Sequence, residues 1–178
     1  MSEATKSRTP VDVLVAEHEI IVRNLMELER IMDLVRAARS LDDIKGHIGR
    51  LKAISKLLLD TEPHHQREEQ SIFPRLERAG IEGPPRVMRM EHTELRARKH
   101  RLADLLAEGE KMDFKKWAAE IVEAGDYIVE NLVAHIHKED TVLYPMAVRV
   151  FSPEEWVAVQ QECDRIGYTP FTPGMPRE

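Results

Sequence analysis

The sequence is poor in cysteine and in aromatic residues. Cys163 is the only cysteine, so the chain cannot form an internal disulfide, and this usage is compatible with a reducing compartment. Aromatic residues make up only 5% of the chain, whereas charged residues make up 33%. Sheet proteins use more β-branched and aromatic side chains than this. The composition therefore favours long amphipathic helices.

Long apolar runs and an excess of positive charge are also missing. No stretch approaches the roughly 18 apolar residues that a membrane-spanning helix requires. The first eight residues contain no apolar segment of the kind found in signal peptides. The net charge of −6 disfavours nucleic acid as a partner, because phosphate binding needs a positive surface. These features predict a soluble, cytoplasmic protein that binds neither nucleic acid nor membranes.

Capping residues, glycines and prolines divide the chain into five predicted helices. Four are long and have approximate bounds of 10–39, 40–79, 86–108 and 113–150. A short fifth helix begins at Ser152 and stops at Gly167, and a proline-rich tail follows. We predict an all-α fold, an antiparallel, up-down-up-down four-helix bundle with a short extra C-terminal helix and an irregular tail. We expect the bundle domain to span residues 10–150, and the extra helix and tail to span 151–178.

Three prolines fall inside the predicted long helices. Pro63 and Pro74 lie in the second helix and Pro145 lies in the fourth. Each removes one backbone hydrogen bond, so we expect kinks at these positions. Kinks at matching places in two helices suggest that the two halves of the chain share one plan.

An internal repeat relates the two halves. Residues 64–74 and 135–145 share the pattern H-x-x-x-E-[ED]-x-x-[IL]-[FY]-P. On the helix before each copy, residues 17–21 resemble residues 91–95, and each of these segments contains one histidine. Each half is therefore a helical hairpin with a histidine on its first helix and His-x-x-x-Glu on its second. This arrangement predicts a duplicated metal half-site.

The spacing of these side chains suits metal binding. Residues four apart on a helix lie on one face, about 6 Å apart along the axis. Two such His/Glu pairs on facing helices, with one histidine from each remaining helix, would surround a cavity in the bundle. Imidazoles bind iron, zinc and copper, and carboxylates can bridge two cations. The predicted metal ligands are His18, His64, Glu68, His92, His135 and Glu139.

The other histidines require a choice of register. Helical periodicity alone favours His65 with Glu69 over His64 with Glu68. The repeat favours His64, because His65 corresponds to Ile136, which cannot bind a metal. We take His64 and Glu68 as the ligands and keep His65 and Glu69 as the alternative. Three histidines lack a counterpart and are expected to face solvent or to support the ligands from outside: His47, His100 and His137.

The motifs resemble those of the hemerythrin-like (HHE cation-binding) family over residues 10–150. The resemblance implies a bundle around two iron ions joined by a bridging oxide or hydroxide, although zinc or manganese would suit the same donors. It also implies that Glu68 and Glu139 bridge the metals and that the histidines are terminal ligands. Oxygen-carrying members have a further histidine four residues after the third-helix ligand. Arg96 occupies that position here, which disfavours reversible oxygen carriage, and we expect it to lie near the vacant coordination position.

The resemblance leads to two functional hypotheses. The first is a non-haem di-iron protein that binds or senses O2, NO or the iron and redox state, with a partner protein supplying any signal output. The second is a di-iron enzyme that acts on NO or peroxide or delivers iron for iron–sulfur cluster repair. Ferritin-type storage is weaker, because its Glu-x-x-His motif occurs only once, at residues 62–65. The sequence leaves the oligomeric state open.

Overall fold

The computed structural model describes residues 9–174, apart from the side chain of Glu110. The expectations for the first eight residues and for the last four residues of the tail lie outside the described part. Within residues 9–174 the chain is helical and has no strand, which confirms the all-α prediction. No helix in this part is long and apolar enough to cross a membrane.

Eight α-helices and two π-helical turns build the described chain. The helices are α1 (Pro10–Ala37), α2 (Leu41–Leu59), α3 (Glu62–Arg67), α4 (Phe73–Arg78), α5 (Gly83–Glu108), α6 (Phe114–Lys138), α7 (Tyr144–Val150) and α8 (Pro153–Ile166). The π-helical turns are Glu68–Ile72, between α3 and α4, and Glu139–Leu143, between α6 and α7. A short 3₁₀ turn, Gly109–Lys111, follows α5.

Side chains at the helix ends explain where several helices begin and stop. At the start of α1, the Thr9 hydroxyl accepts the Asp12 N–H at 3.2 Å, and the Asp12 carboxylate accepts the Thr9 N–H at 2.8 Å. Ser152 and Glu155 make the same reciprocal pair at the start of α8. The chain leaves α8 through Gly167, whose φ of 94° suits glycine. These ends agree with the predicted bounds to within a few residues.

The long helices form a closed ring of neighbours. Helix α1 packs against α2 and α6, and α5 packs against the same two helices. Short connections join α1 to α2 and α5 to α6, and α3 and α4 lie between α2 and the turn into α5. The helices of each short connection therefore run antiparallel. One apolar cluster fills the bundle on the side of α2 and includes Leu25, Leu102 and Ile128. A second cluster, which includes Leu14 and Phe73, lies toward α8.

The two π-helical turns accommodate the repeated prolines. In the first turn, the N–H of Phe73 donates to the carbonyl of Glu68, five residues earlier. Tyr144 and Glu139 make the equivalent bond in the second turn. Pro74 and Pro145 lie two residues after the ends of these turns, and neither has an N–H with which to continue the α-helical pattern. The predicted kinks therefore take the form of widened turns, and a glutamate from the predicted site begins each one.

The second predicted helix is interrupted before Pro63. Helix α2 ends at Leu59, and α3 begins at Glu62, which places Pro63 in the first turn of a new helix. Proline is tolerated there because the N–H groups of a first turn have no partner within the helix. This break and the π-helical turn shift the helical register, which is why periodicity carried over from α2 favoured His65.

Helix α8 and the tail lie against the bundle. Val159 and Cys163 are buried in the apolar cluster that contains Val11 and Leu14 of α1. The helix packs against α1 and α3. The division into segments 10–150 and 151–178 stays a prediction.

Candidate metal centre

A layer of polar side chains crosses the bundle between the two apolar clusters. On α1, His18 lies between Leu14 of one cluster and Ile21 of the other. On α6, His135 follows Leu132, which belongs to the same cluster as Ile21. The structure brings all six predicted ligands into this layer, and none is more than 2% exposed: His18, His64, Glu68, His92, His135 and Glu139.

The four histidines form two pairs. Nε2 of His18 lies 3.1 Å from Nε2 of His64, and Nε2 of His92 lies 3.0 Å from Nε2 of His135. Each pair lies close to an oxygen of Glu139, and the three donor atoms of each group lie within 4.8 Å of one another. The arrangement offers two neighbouring metal positions that share one carboxylate.

The carboxylate of Glu139 faces both histidine pairs. Its Oε2 lies 3.2 Å from Nε2 of His18, and its Oε1 lies 2.9 Å from Nε2 of His135. Each oxygen therefore points toward a different pair. This is the geometry required of a carboxylate that bridges two cations.

Glu68 occupies the matching position in the other half, with one difference. Its Oε2 lies 3.6 Å from Nε2 of His64 and 3.5 Å from Nε2 of His92, so this atom also stands between the two pairs. Its Oε1 accepts the hydroxyl hydrogen of Tyr144 at 2.7 Å. Glu68 thus offers one free oxygen to the centre, whereas Glu139 offers two.

The buried carboxylates fit a metal better than they fit a metal-free core. Oε2 of Glu68 and both oxygens of Glu139 have no hydrogen-bond donor among the residues of the described chain. Burial and the charge on Glu139 raise the pKa of Glu68 well above its usual range. Burial also opposes the charge on Glu139, but His135 lowers its pKa well below the usual range. Cations between these groups would satisfy the unpaired oxygens and allow both carboxylates to ionise.

A carboxylate stands behind each of the four histidines. The Nδ1···O distances are 2.8 Å for His18–Asp140, 2.6 Å for His64–Glu17, 2.7 Å for His92–Glu69 and 2.8 Å for His135–Glu91. A neutral imidazole that donates from Nδ1 presents the lone pair of Nε2 to the centre. Two such lone pairs about 3 Å apart repel each other unless a proton or a metal ion lies between them, so this pattern is compatible with a metal.

The sequence analysis did not predict that these carboxylates are the Nδ1 partners of the histidines, although the repeat contained them. Glu17 and Glu91 directly precede the histidines of α1 and α5, and each pairs with a histidine of its own half. Glu69 and Asp140 follow the central glutamates, and each pairs with a histidine of the other half. Glu17 matches Glu91 in the repeat, and Glu69 matches Asp140. This repetition of acidic residues beside the predicted ligands was the signal available in the sequence.

The geometry favours His64 and Glu68 over the alternative register. His65 does not belong to either group of clustered donor atoms and instead stacks on the ring of His92, with 4.0 Å between the ring centroids. Its Nδ1 is buried and has no partner in the described region. The carboxylate of Glu69 lies on the outer side of His92. Of the histidines without a counterpart, His100 and His137 are exposed and His47 is half-buried.

A small cavity adjoins the histidine pairs. It offers about 10 Å³ to the centre of a water-sized sphere, which is about the space of one water molecule. Ile21 and Leu132 form part of its apolar wall, and Thr61, His65 and Lys99 form part of its polar wall.

Lys99 brings a buried amine to this cavity. Its Nζ donates to the hydroxyl oxygen of Thr61 at 2.8 Å. Burial lowers the pKa of Lys99 to about 7. Arg96, which we expected near a vacant coordination position, instead pairs with Glu62 at 2.8 Å and Glu69 at 2.9 Å, and is not among the residues that line the cavity.

Comparison with known families agrees with this geometry. The model of the hemerythrin HHE cation-binding domain matches residues 9–147, which is most of the chain and contains all six central side chains. No curated protein matches the chain significantly. The chain therefore belongs to the hemerythrin family and contains an HHE cation-binding domain.

Proposed function

We propose that this protein holds two iron ions joined by an oxide or hydroxide bridge, and that it binds or senses a small ligand such as O2 or NO, or the iron and redox state of the cell. The observation that carries the proposal is the pair of histidine groups that share Glu139. A single metal position would not explain four inward-facing Nε2 atoms together with two carboxylates that lie between the groups.

Each central residue has a role in this proposal. His18 and His64 would hold one metal ion, and His92 and His135 would hold the other. Glu139, whose two oxygens face different histidine pairs, would contribute to both positions, and Glu68 would contribute its free Oε2. Iron in such a site supplies a Lewis acid and a one-electron redox centre.

The surrounding protein limits what can reach the site. Apolar side chains enclose the polar layer on both sides, and the adjoining cavity has room for about one water-sized molecule. A ligand of two or three atoms suits this space, whereas an organic substrate does not. The only cysteine, Cys163, is buried and free, which agrees with a cytoplasmic location. Signal output would require a partner protein.

The first experiment is the metal content per chain of anaerobically purified protein, together with its optical spectrum before and after exposure to air and to NO. We expect two irons per chain and oxo-bridge absorption that changes on exposure to the gases. One zinc per chain with no optical response would contradict the proposal, as would the absence of iron after reconstitution.

A di-iron enzyme that reacts with NO or peroxide is the second candidate, and Lys99 favours it. Reduction of either molecule consumes protons, and a buried amine with a pKa of about 7 can donate one next to the metals. Steady consumption of NO or peroxide in the presence of an added electron donor, slowed at least tenfold in Lys99→Met at unchanged iron content, would support the enzyme. Stoichiometric binding without turnover would support the sensor.

A further inference from the structure

The tail introduces a difference between the two halves of the centre. In the repeat, Arg67 corresponds to Lys138, and each of these cations donates to the carboxylate behind a histidine. Arg67 donates to both oxygens of Glu17, at 2.7 and 2.6 Å, and Lys138 donates to Glu91. Up to this point the two halves have equivalent outer layers.

Two threonines of the tail add hydrogen bonds to Glu17. Thr172 donates its hydroxyl hydrogen to Oε1 of Glu17, and the hydroxyl of Thr169 lies 3.5 Å from the same oxygen. The two hydroxyls also lie 2.9 Å from each other. As a result the Glu17 side chain is 0% exposed, whereas its counterpart Glu91 is 30% exposed.

The rest of the tail holds these threonines in place. The ring of Tyr168 lies under the guanidinium of Arg67, with 4.8 Å between the Arg67 Cζ and the ring centroid. The threonines themselves are buried. All of these tail residues lie beyond residue 147, where the family match ends. The contacts are therefore an addition to the HHE domain rather than part of it.

We propose that tail residues 168–172 are part of the metal centre: Thr169 and Thr172 position Glu17, which in turn fixes His64 as a ligand. The metal position between His18 and His64 is then held more firmly than the position between His92 and His135. This inference rests on the proposed two-metal site.

The physical reason is the saturation of one buried carboxylate. Glu17 accepts hydrogen bonds from His64, from Arg67 and from the tail, so its orientation is fixed. A fixed carboxylate keeps the donating Nδ1–H of His64 in line and its Nε2 directed at the metal. Loss of such outer partners typically costs about 10- to 100-fold in metal affinity. Because the threonines act on His64 only through Glu17, we expect the lower end of that range for them.

The test compares Thr169→Val/Thr172→Val with a matched variant of the other half, Lys138→Met. Anaerobic titration with ferrous iron gives the two binding constants, and Mössbauer spectra report the two iron environments separately. We expect the threonine variant to bind one of the two iron ions about tenfold more weakly. One of its two quadrupole doublets should also change. Lys138→Met should alter the other doublet. Thr172→Ser, which keeps the hydroxyl, should behave like the wild type.

The iron content of the wild-type protein separates a failure of the two-metal site from a failure of the proposed role of the tail. If the wild-type protein binds fewer than two irons, the proposed two-metal site is wrong, whatever the variants do. If it binds two irons and the threonine variant has unchanged constants and doublets, the role of the tail is overturned. Circular dichroism of the metal-free proteins checks folding. If the double variant does not fold, Thr172→Val is measured instead and should alter the same doublet. An unchanged doublet in Thr172→Val would overturn the inference.

Discussion

At the scale of single residues, the centre consists of imidazoles that each have an acid behind them. The carboxylate on Nδ1 fixes the orientation of the ring, so Nε2 is directed at the centre before a metal arrives. Glu69 shows how strongly these groups interact. Burial opposes its charge, but hydrogen bonds from His92 and Arg96 lower its pKa to about 2. Glu69 is thus ionised at neutral pH. Burial opposes the charge on His92, but Glu139 and Glu69 raise the pKa of this histidine.

Loss of a central histidine should empty at least one metal position. His92→Ala and His135→Ala each remove one nitrogen of the same pair, so we expect both variants to lose at least one of the two metal ions on desalting. His137→Ala is the control, because His137 is exposed on the same helix as His135. Metal analysis per chain provides the measurement. Full metal retention in both central variants would disprove these ligand assignments.

Metal binding should release protons at neutral pH. In the metal-free protein, burial opposes the charge on His18, but the nearby carboxylates of Asp140 and Glu139 raise its pKa to about 9. Burial and the charge on Glu139 raise the pKa of Glu68 above its usual range. His18 is therefore protonated at neutral pH and must lose this proton to bind metal, and the raised pKa of Glu68 acts in the same direction.

Metal affinity should consequently increase with pH up to about 9, the pKa of His18. Calorimetry of metal binding in two buffers with different ionisation enthalpies counts the released protons directly. An affinity that stays constant from slightly acidic to slightly alkaline pH would contradict the expected protonation of His18.

Tyr144 should stabilise the protein through Glu68. Its ring stacks on His18, with 5.7 Å between centroids, much as Phe73 stacks on His92 at 5.8 Å, but only the tyrosine has a hydroxyl to donate. Tyr144→Phe leaves Oε1 of Glu68 without this donor. We expect the free energy of unfolding in urea to fall by about 1–3 kcal/mol. The half-buried Tyr127 provides the control, since Tyr127→Phe should change it by less than half as much.

At the scale of helices, the two π-helical turns place the central glutamates. Each turn begins at a glutamate of the site and ends two residues before a proline. Single π-turns within α-helices occur frequently at functional sites because they reorient side chains relative to the helix before them. In this chain, they bring Glu68 and Glu139 into the same layer as the histidines one turn earlier.

The contact between α1 and α6 depends on a glycine. A Cβ added to Gly125 would lie 2.3 Å from Sδ of Met32, which is fully buried. Gly125→Ala should therefore force Met32 out of its position and lower the free energy of unfolding by about 1–2 kcal/mol. Gly49→Ala on α2 is the control, because no atom lies within 4 Å of the added Cβ. That variant should instead stabilise the protein by about 0.5–1 kcal/mol. Equal effects of the two changes in urea unfolding would contradict this packing argument.

At the scale of the whole molecule, metal binding and folding should be coupled. The centre draws side chains from all four long segments of the bundle, so the donors come together only in the folded protein. A metal at 100 times its dissociation constant should stabilise the fold by about 2.7 kcal/mol. For a chain of this size, this corresponds to a rise of roughly 5–10 °C in Tm.

Thermal unfolding with and without a chelator tests this coupling. The Tm of the wild-type protein should fall by several degrees when its metal is removed, whereas the Tm of His92→Ala should fall by less. An identical Tm for the metal-loaded and chelated wild-type protein would mean that the donors are held together without any help from the metal.

The sequence by itself determined the all-α fold, the five helical regions and the repeat that selects six side chains. Helical periodicity, capping and His-x-x-x-Glu spacing are local features, so they can be recognised without tertiary contacts. The register at His64 also came from the sequence, but only through the repeat. Periodicity favoured His65, because the break before α3 and the following π-helical turn are not visible in a regular pattern.

Only the tertiary structure decided which acid supports which histidine, which residues line the cavity and where the tail lies. Glu69 and Asp140 reach histidines of the opposite half, and Lys99 enters the cavity two helical turns beyond His92. Thr172 meets Glu17 across 155 positions of the sequence. Such contacts depend on the packing of distant segments against one another, for which a local pattern holds no information.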